Sequence, residues 1–208
     1  LEPYRRLVTS GRPFVTLKIA LSSDGKIAGR RPGWITGPAA REEVQRIRRR
    51  ADAILVGRST AMLDNPRLTV RSPFLQGRQH GLTRVILTRS GRLDPRLRMF
   101  HDVTAPTIIF TGKTGKGRID CVFAGQDVNA RVIAVPDSRN GIDARVVLRN
   151  LAARGIMHLL VEGGAETANR FLEQRLVDEV VLFVSPRIVG PGGVDAFRPK
   201  PALRNADV

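Results

Sequence analysis

The chain has 208 residues, enough for one domain or two small ones around a buried core, and its 42% hydrophobic and 26% charged composition excludes a disordered protein. A formal net charge of +16 raises the question of nucleic acid, yet lysine stands only at 18, 26, 113, 116 and 200, arginine is scattered, and one Trp and one Tyr leave little to stack on bases. No apolar run approaches the roughly 18 residues a membrane span needs, and a single cysteine, Cys121, excludes an internal disulfide and suits a reducing cytoplasm.

In chain order, the first residues, Leu-Glu-Pro-Tyr-Arg-Arg, carry no initiator Met and no apolar signal core, so a domain cut from a longer chain is expected. Phe14 to Leu21 reads as a strand, interrupted by the charge of Lys18. Pro38 to Ala51 reads as a helix, capped by Thr36 or Gly37, with Pro38 in its first turn and Ala40, Val44, Ile47 and Ala51 on one stripe. The basic block Arg46 to Arg50 falls on this helix, so part of it faces solvent. Ala53 to Val56 is a short apolar strand stopped by Gly57, and further strands are expected at Arg84 to Thr88, Thr107 to Thr111 and Arg131 to Val135. Asp143 to Arg154 reads as a helix, Met157 to Val161 as a buried strand, Ala165 to Arg175 as a helix and Glu179 to Ser185 as a strand. Residues 71–83 and 112–130 are expected as long loops. Apolar strands alternating with helices specify an α/β fold, a mostly parallel central sheet with helices on both faces, with ligands gathering at the carboxyl ends of strands.

Several chemistries lack their residues. No G-x-G-x-x-G or Walker loop is present; Gly112 to Gly117 has the glycines but the wrong spacing and no expected helix behind it. His80, His101 and His158 show no metal spacing, and no metal site is expected.

Four segments carry chemistry. Leu159 to Thr167 runs from a buried strand through Gly163-Gly164 into a helix start; the glycines permit positive φ and close backbone approach, and the first helical N–H groups form an anion site suited to a pyrophosphate. The same pattern also describes a plain strand-to-helix turn. Thr88-Arg89-Ser90 closes a strand with groups able to grip a 2′-phosphate, or with one more surface arginine. Asp64 to Arg71 is a polar turn that by itself reads as loop. Lys18, inside an apolar strand, needs a partner, a ligand or an exposed edge.

Taken together, Arg12 to Ala28, Trp34-Ile35-Thr36-Gly37, Ala53 to Gly57, Thr60, Leu63 to Arg71 and Val161 to Gly164 resemble, in order and spacing, the reductase domain of the bifunctional riboflavin-biosynthesis deaminase/reductase, similar in fold to dihydrofolate reductase. The resemblance implies an NADPH-dependent oxidoreductase that reduces the ribosyl group of 5-amino-6-(5-phosphoribosylamino)uracil to ribityl by hydride transfer to C1′. It implies cofactor contacts at Ala20, Trp34, Thr60, Asp64, Arg89, Gly163, Gly164, Ala165, Glu166 and Thr167, the helix start extending to Arg170, and substrate contacts at Arg48, Leu68, Arg71 and Glu162. Lys18 and Asp64 are the candidates for moving protons during sugar-ring opening. It implies further a connector at residues 1–11 to an upstream zinc deaminase domain, fused or separate, a reductase domain over 12–208 whose closing strands lie beyond Val208, and a cytoplasmic homodimer. The chain departs from the pattern at Pro32, where the family has Ser, and at Thr88-Arg89, where many members have Asp-Ser. The alternatives are a stand-alone reductase of the 2,5-diamino-6-ribosylamino-pyrimidinone phosphate, a dihydrofolate-reductase-like oxidoreductase of other substrate, and, from another class, a basic nucleic-acid-binding module.

Overall fold

The computed structural model describes residues 1–28, 35–71, 82–138 and 141–198. Its helices are α1 (Glu2–Ser10), α2 (Pro38–Arg50), α3 (Arg58–Asp64), α4 (Arg98–His101), α5 (Lys113–Phe123), α6 (Ala144–Ala152) and α7 (Ala165–Glu173). Its strands are β1 (Phe14–Ser22), β2 (Lys26–Ala28), β3 (Ala53–Gly57), β4 (Thr83–Leu87), β5 (Thr107–Thr111), β6 (Arg131–Ala134), β7 (Asp137–Ser138), β8 (Gly141–Ile142), β9 (His158–Val161), β10 (Glu179–Ser185) and β11 (Val194–Asp195).

Seven strands form one sheet in the order β10-β1-β9-β3-β4-β5-β6, and every neighbouring pair in it is parallel. Two antiparallel pairs, β2 with β11 and β7 with β8, lie outside it. The uninterrupted apolar strands explain the layering, because successive side chains of a strand point to opposite faces. Ala53, Leu55, Val85, Leu87, Leu159 and Val161 point to one face, where Val147, Leu148 and Leu151 of α6 and Phe171 of α7 cover them. Ile54, Val56, Ile86 and Leu160 point to the other, beneath Ala61 of α3, Met99 and Phe100 of α4 and Ile119 of α5. The expected α/β sandwich is what forms.

This winding sets the position of the site. β9 inserts between β1 and β3, and the chain leaves β9 toward α7 on one face but leaves β3 toward α3 on the other. Adjacent strands whose exits diverge leave a crevice at their carboxyl ends, where open α/β sheets bind ligands.

One expectation is corrected, and two helices stand where the sequence assigned no element. Residues 112–130 are not a loop: α5 occupies 113–123, and Gly112 is its N-cap, so the glycine-rich run does lead into a helix. One buried apolar anchor, Ile119, holds a segment of weak helical pattern on the sheet, so packing outweighs local propensity. The turn before residue 65 is helical, as α3, with Ala61 buried. Of residues 1–11, expected as a connector, 2–10 form helix α1, and Arg6 and Arg12 both pair with Asp178, at 2.6 and 2.7 Å. Of the expected 71–83 loop, residues 72–81 lie outside the described residues, and Thr83 begins β4.

Arg84 is wholly buried and clamps α4 to the sheet, its Nη1 donating to the carbonyls of Met99 (2.6 Å) and Asp102 (2.8 Å). Among the described residues β10 is a sheet edge, and its outer row, Val180, Leu182 and Val184, is exposed.

Candidate active site

The crevice between β3 and β9 is lined by close backbone approach. A Cβ on Gly163 would stand 2.5 Å from Thr167 Cβ, and one on Gly57 would stand 2.4 Å from Thr167 Oγ1. Neither gap admits a side chain. Across the crevice the Gly164 N–H donates to Thr60 Oγ1 at 3.1 Å, stitching the start of α7 to α3. The positive φ that the glycine pair permits is not used: Gly164 has φ −68, and Gly163 is not among the positive-φ residues. These glycines serve proximity, not left-handed backbone. Gly164 is the N-cap of α7 and offers no side-chain cap, so the first-turn N–H groups of Ala165, Glu166 and Thr167 face the crevice end without a capping acceptor. Glu166 is exposed and pairs with Arg170 at 3.1 Å, while Thr167 is buried as the packing partner of the two glycines.

Beside the glycines stands a charged triad. Val161 of β9 is in register with Leu17 of β1, and the Glu162 N–H continues the ladder to Leu55 O at 2.9 Å, so Glu162 comes to rest next to Lys18. Val15, Leu17, Ile19 and Leu21 fill the opposite core, which leaves Lys18 and Ala20 on the face covered by α2. From α2, Arg48 reaches down and grips Glu162 with two bonds, Nε to Oε1 at 2.7 Å and Nη2 to Oε2 at 2.8 Å. Its Nη1 donates to Thr69 O at 3.2 Å. Burial opposes the charge of Arg48, but Glu162 overcomes it and raises the guanidinium pKa. Burial alone would push the Glu162 carboxyl up; Arg48 first, and Lys18 after it, hold it below the ordinary value of 4.5. Lys18 is different. Desolvation lowers its pKa from 10.5 against the pull of Glu162, with Arg48 adding to the depression. Among the described residues its ammonium makes no hydrogen bond and lies 5.9 Å from the ring centre of Phe183 on β10.

Residues 64–71 close the site from the α2 side. Asn65 and Leu68 adopt left-handed backbone, φ 39 and 51, unusual for side-chain-bearing residues and rarest for one like Leu. The Leu68 side chain is 2% exposed and packs in the core, where it pins the turn that presents Thr69 and Arg71, which leaves the main chain of Leu68 for the expected substrate contact. Gln45 Oε1 accepts from the Arg71 N–H at 2.8 Å, and Asn65 Oδ1 accepts from the Arg98 N–H at 2.9 Å. Asp64 ends α3 with its carboxyl raised by desolvation. Thus Lys18, Arg48, Glu162 and the 68–71 turn are brought together, and Thr60 joins the glycine pair.

Arg89 is exposed on the turn that follows β4, two strands from β9. That turn is pressed against α5: a Cβ on Gly91 would lie 2.1 Å from Gly115 O. A surface depression of about 500 Å3 next to it is lined by Arg58, Arg92, Asp94, Arg96 and Arg118. Another, of about 470 Å3, lies at the amino ends of β5 and β6, away from the triad. Trp34 and Pro32 lie outside the described residues. Sequence reasoning passed over Gln45, Thr69, Phe183 and Arg98. Phe183 was accessible in principle, since its parity in β10 matches that of Lys18 in β1; the others act through main-chain bonds that leave no pattern.

The model of the RibD C-terminal domain matches residues 13–206. A riboflavin biosynthesis protein RibD from Chlamydia trachomatis is 33% identical over 200 residues, covering 95% of this chain and 52% of the relative. A 2,5-diamino-6-ribosylamino-4(3H)-pyrimidinone 5′-phosphate reductase from Methanothermobacter thermautotrophicus is 32% identical, covering 86% of this chain and 80% of its own. Among solved structures, a diaminohydroxyphosphoribosylaminopyrimidine deaminase/5-amino-6-(5-phosphoribosylamino)uracil reductase from Thermotoga maritima superposes with a TM-score of 0.76 at 32% identity, over 98% of this chain and 54% of that one. The chain spans about half the length of the RibD relatives it matches. With the expected parallel sheet and a family match over nearly its whole length, the chain belongs to the RibD C-terminal domain family, whose fold is that of dihydrofolate-reductase-like reductases.

Proposed function

We propose that this chain reduces the ribosyl group of 5-amino-6-(5-phosphoribosylamino)uracil to ribityl with NADPH. The observation that carries this reading is the meeting, at one switch-point crevice, of an uncapped glycine turn fit for a pyrophosphate and a buried lysine beside an Arg–Glu pair. The turn fits the cofactor because Gly57 and Gly163 keep side chains out of it and the α7 N–H groups there need acceptors. Gly163 to Thr167 and Thr60 hold the pyrophosphate, Ala20 and Asp64 border the nicotinamide half, and Arg89 meets the 2′-phosphate.

When bound, NADPH supplies the hydride. The chain's residues prepare the acceptor. The substrate's nitrogen gives up its proton to the carboxylate of Asp64 as the C1′–O4′ bond breaks to give a C1′=N imine, and O4′ takes a proton that the ammonium of Lys18 is placed to give. Hydride adds at C1′, the π electrons move to nitrogen, and nitrogen takes a proton, so each turnover consumes one NADPH and one proton. Glu162, locked by Arg48, is a fixed acceptor for sugar hydroxyls and keeps Lys18 charged against its burial. The carboxyl of Asp64, raised by desolvation, returns the proton. The expected homodimer, cytoplasmic setting, connector at 1–11 and accompanying zinc deaminase belong to the same reading.

The 32% identity with the Methanothermobacter reductase favours a second substrate, the 2,5-diamino analogue. Following NADPH oxidation with each pyrimidine separates the two. Turnover of neither by the folded protein overturns the reading, and equal use of NADH overturns the role of Arg89.

A further inference from the structure

Phe100, Phe110 and Phe171 are wholly buried, and Phe123 packs against the core beneath α5. Phe183 of β10 is only half-buried and belongs to neither core. Register shows where its ring goes instead. Ala20 of β1 pairs with Phe183, and Lys18 pairs with Val181. Side chains in register on neighbouring strands share a face, so Phe183 stands with Lys18 and Ala20 on the side covered by α2. Its neighbours Leu182 and Val184 point the other way. Ala20 is the smallest side chain on its face of β1, so the partner strand sets no bulk against the ring. A long side chain on a strand leans along it, and the Lys18 Nζ comes to 5.9 Å from the ring centre. That is inside the roughly 6 Å within which the electron-rich face of an aromatic ring attracts a cation.

The other groups around Lys18 are divided. From α2, Arg48 repels the ammonium; from the end of β9, Glu162 attracts it, but Arg48 already holds both Glu162 oxygens, at 2.7 and 2.8 Å. Lower on the same face, His158 of β9 and Glu179 of β10 are each bonded to Thr16 Oγ1 at 2.8 Å and serve Thr16, not Lys18. Val181, beside Lys18 on β10, carries no charge. Among the described residues, the Phe183 ring is therefore the group against Lys18 that favours an ammonium and is not shared with a second cation.

We propose that Phe183 is a positioning residue of the reduction, its ring face holding the Lys18 ammonium over the Ala20–Phe183 pair and favouring the charged form that gives O4′ its proton. This role rests on the reductase reading, because Phe183 acts through Lys18 and not on the reacting atoms. It also gives an edge strand of the sheet a part in the chemistry.

The test is the pH–rate profile of the full chain with NADPH and the phosphorylated pyrimidine. Phe183→Leu keeps an apolar side chain and loses the ring face. Its basic limb should move down by about 0.5–1.5 pH units, the shift that a cation–π contact of ordinary strength gives an ammonium. KM for NADPH should stay at the wild-type level, and Phe183→Tyr, which keeps the face, should retain the wild-type limb. A leucine also changes shape, so phenylalanines carrying successive fluorines at position 183 decide the cause. Each fluorine draws electron density from the face at nearly constant shape, and the limb should step down with every one. An unmoved limb across that series overturns the proposal, whatever the leucine variant does. If the wild-type protein reduces neither pyrimidine, the reductase reading has failed and the titration of Lys18 decides the contact alone. The chain has five lysines, so NMR of isotope-labelled ammonium groups, with Lys18→Met as the reference, identifies this one. A midpoint lower in Phe183→Leu than in the wild type supports the contact, and equal midpoints overturn it.

Discussion

Lys18 is a charged side chain on a strand otherwise given to the core, and among the described residues its one compensating charge, Glu162, is already shared with Arg48. Such a group is kept at a cost in stability, which points to chemistry. Lys18→Met should therefore fold with an unchanged or higher Tm while kcat/KM falls about 100-fold or more, the range of a lost proton-transfer group. If the protonated lysine is required, the rate must fall as pH rises through its lowered pKa, so the basic limb of the profile lies below 10.5. Lys18→Arg should move that limb upward. The Arg48–Glu162 pair has the opposite sign. The folded state holds the Glu162 carboxyl below 4.5, so its contribution is fully present above that pH and is lost as pH falls through the depressed folded value. Denaturant midpoints measured against pH should show this acid loss in the wild type and a flatter curve in Glu162→Gln. Arg48→Ala, which strands a buried carboxylate, should cost about 3–5 kcal/mol in the same measurement.

At the scale of elements, the seven strands of the central sheet and helices α2, α6 and α7 were legible because burial on both faces writes an unbroken apolar word such as Ala53 to Val56 or Leu159 to Val161. Helices α1, α3, α4 and α5 and the short strands outside that sheet were not. In α3 and α5 one buried side chain each, Ala61 and Ile119, carries the packing, and no periodicity emerges from a single anchor. The site followed the same division. Gly163-Gly164, Lys18 and the 64–71 turn announced themselves by residue type, whereas the contact of Gly163 with Thr167 is visible only once α7 has folded back over β9. That contact is testable. Gly163→Ala places a methyl 2.5 Å from a β-branched carbon in a helix, and overpacking of this kind should cost about 1–3 kcal/mol and weaken NADPH binding together. Gly91→Ala should be at least as damaging to stability, since its φ is +65 and the obstacle is the main-chain oxygen of Gly115. Thermal melts with and without NADPH distinguish the two, because Gly91 lies outside the glycine turn proposed to hold the cofactor.

For the whole molecule, the +16 charge is best understood through its partners. Glu162, Asp178 and Asp102 each hold arginines, while Lys+Arg outnumber Asp+Glu by 35 to 19. Random-sequence DNA should bind weakly and lose that binding steeply with salt, as a field without base-stacking groups would, and tight salt-resistant binding would restore the nucleic-acid reading. The winding of the sheet has a consequence beyond placing the crevice. The gap at β3 and β9 is produced by two main chains departing in opposite directions, not by the side chains around it. Its walls can therefore be rewritten without the hole closing. The ligand held there can change with the lining alone, and a variant stripped of every reactive group should still crystallise as the same seven-stranded body.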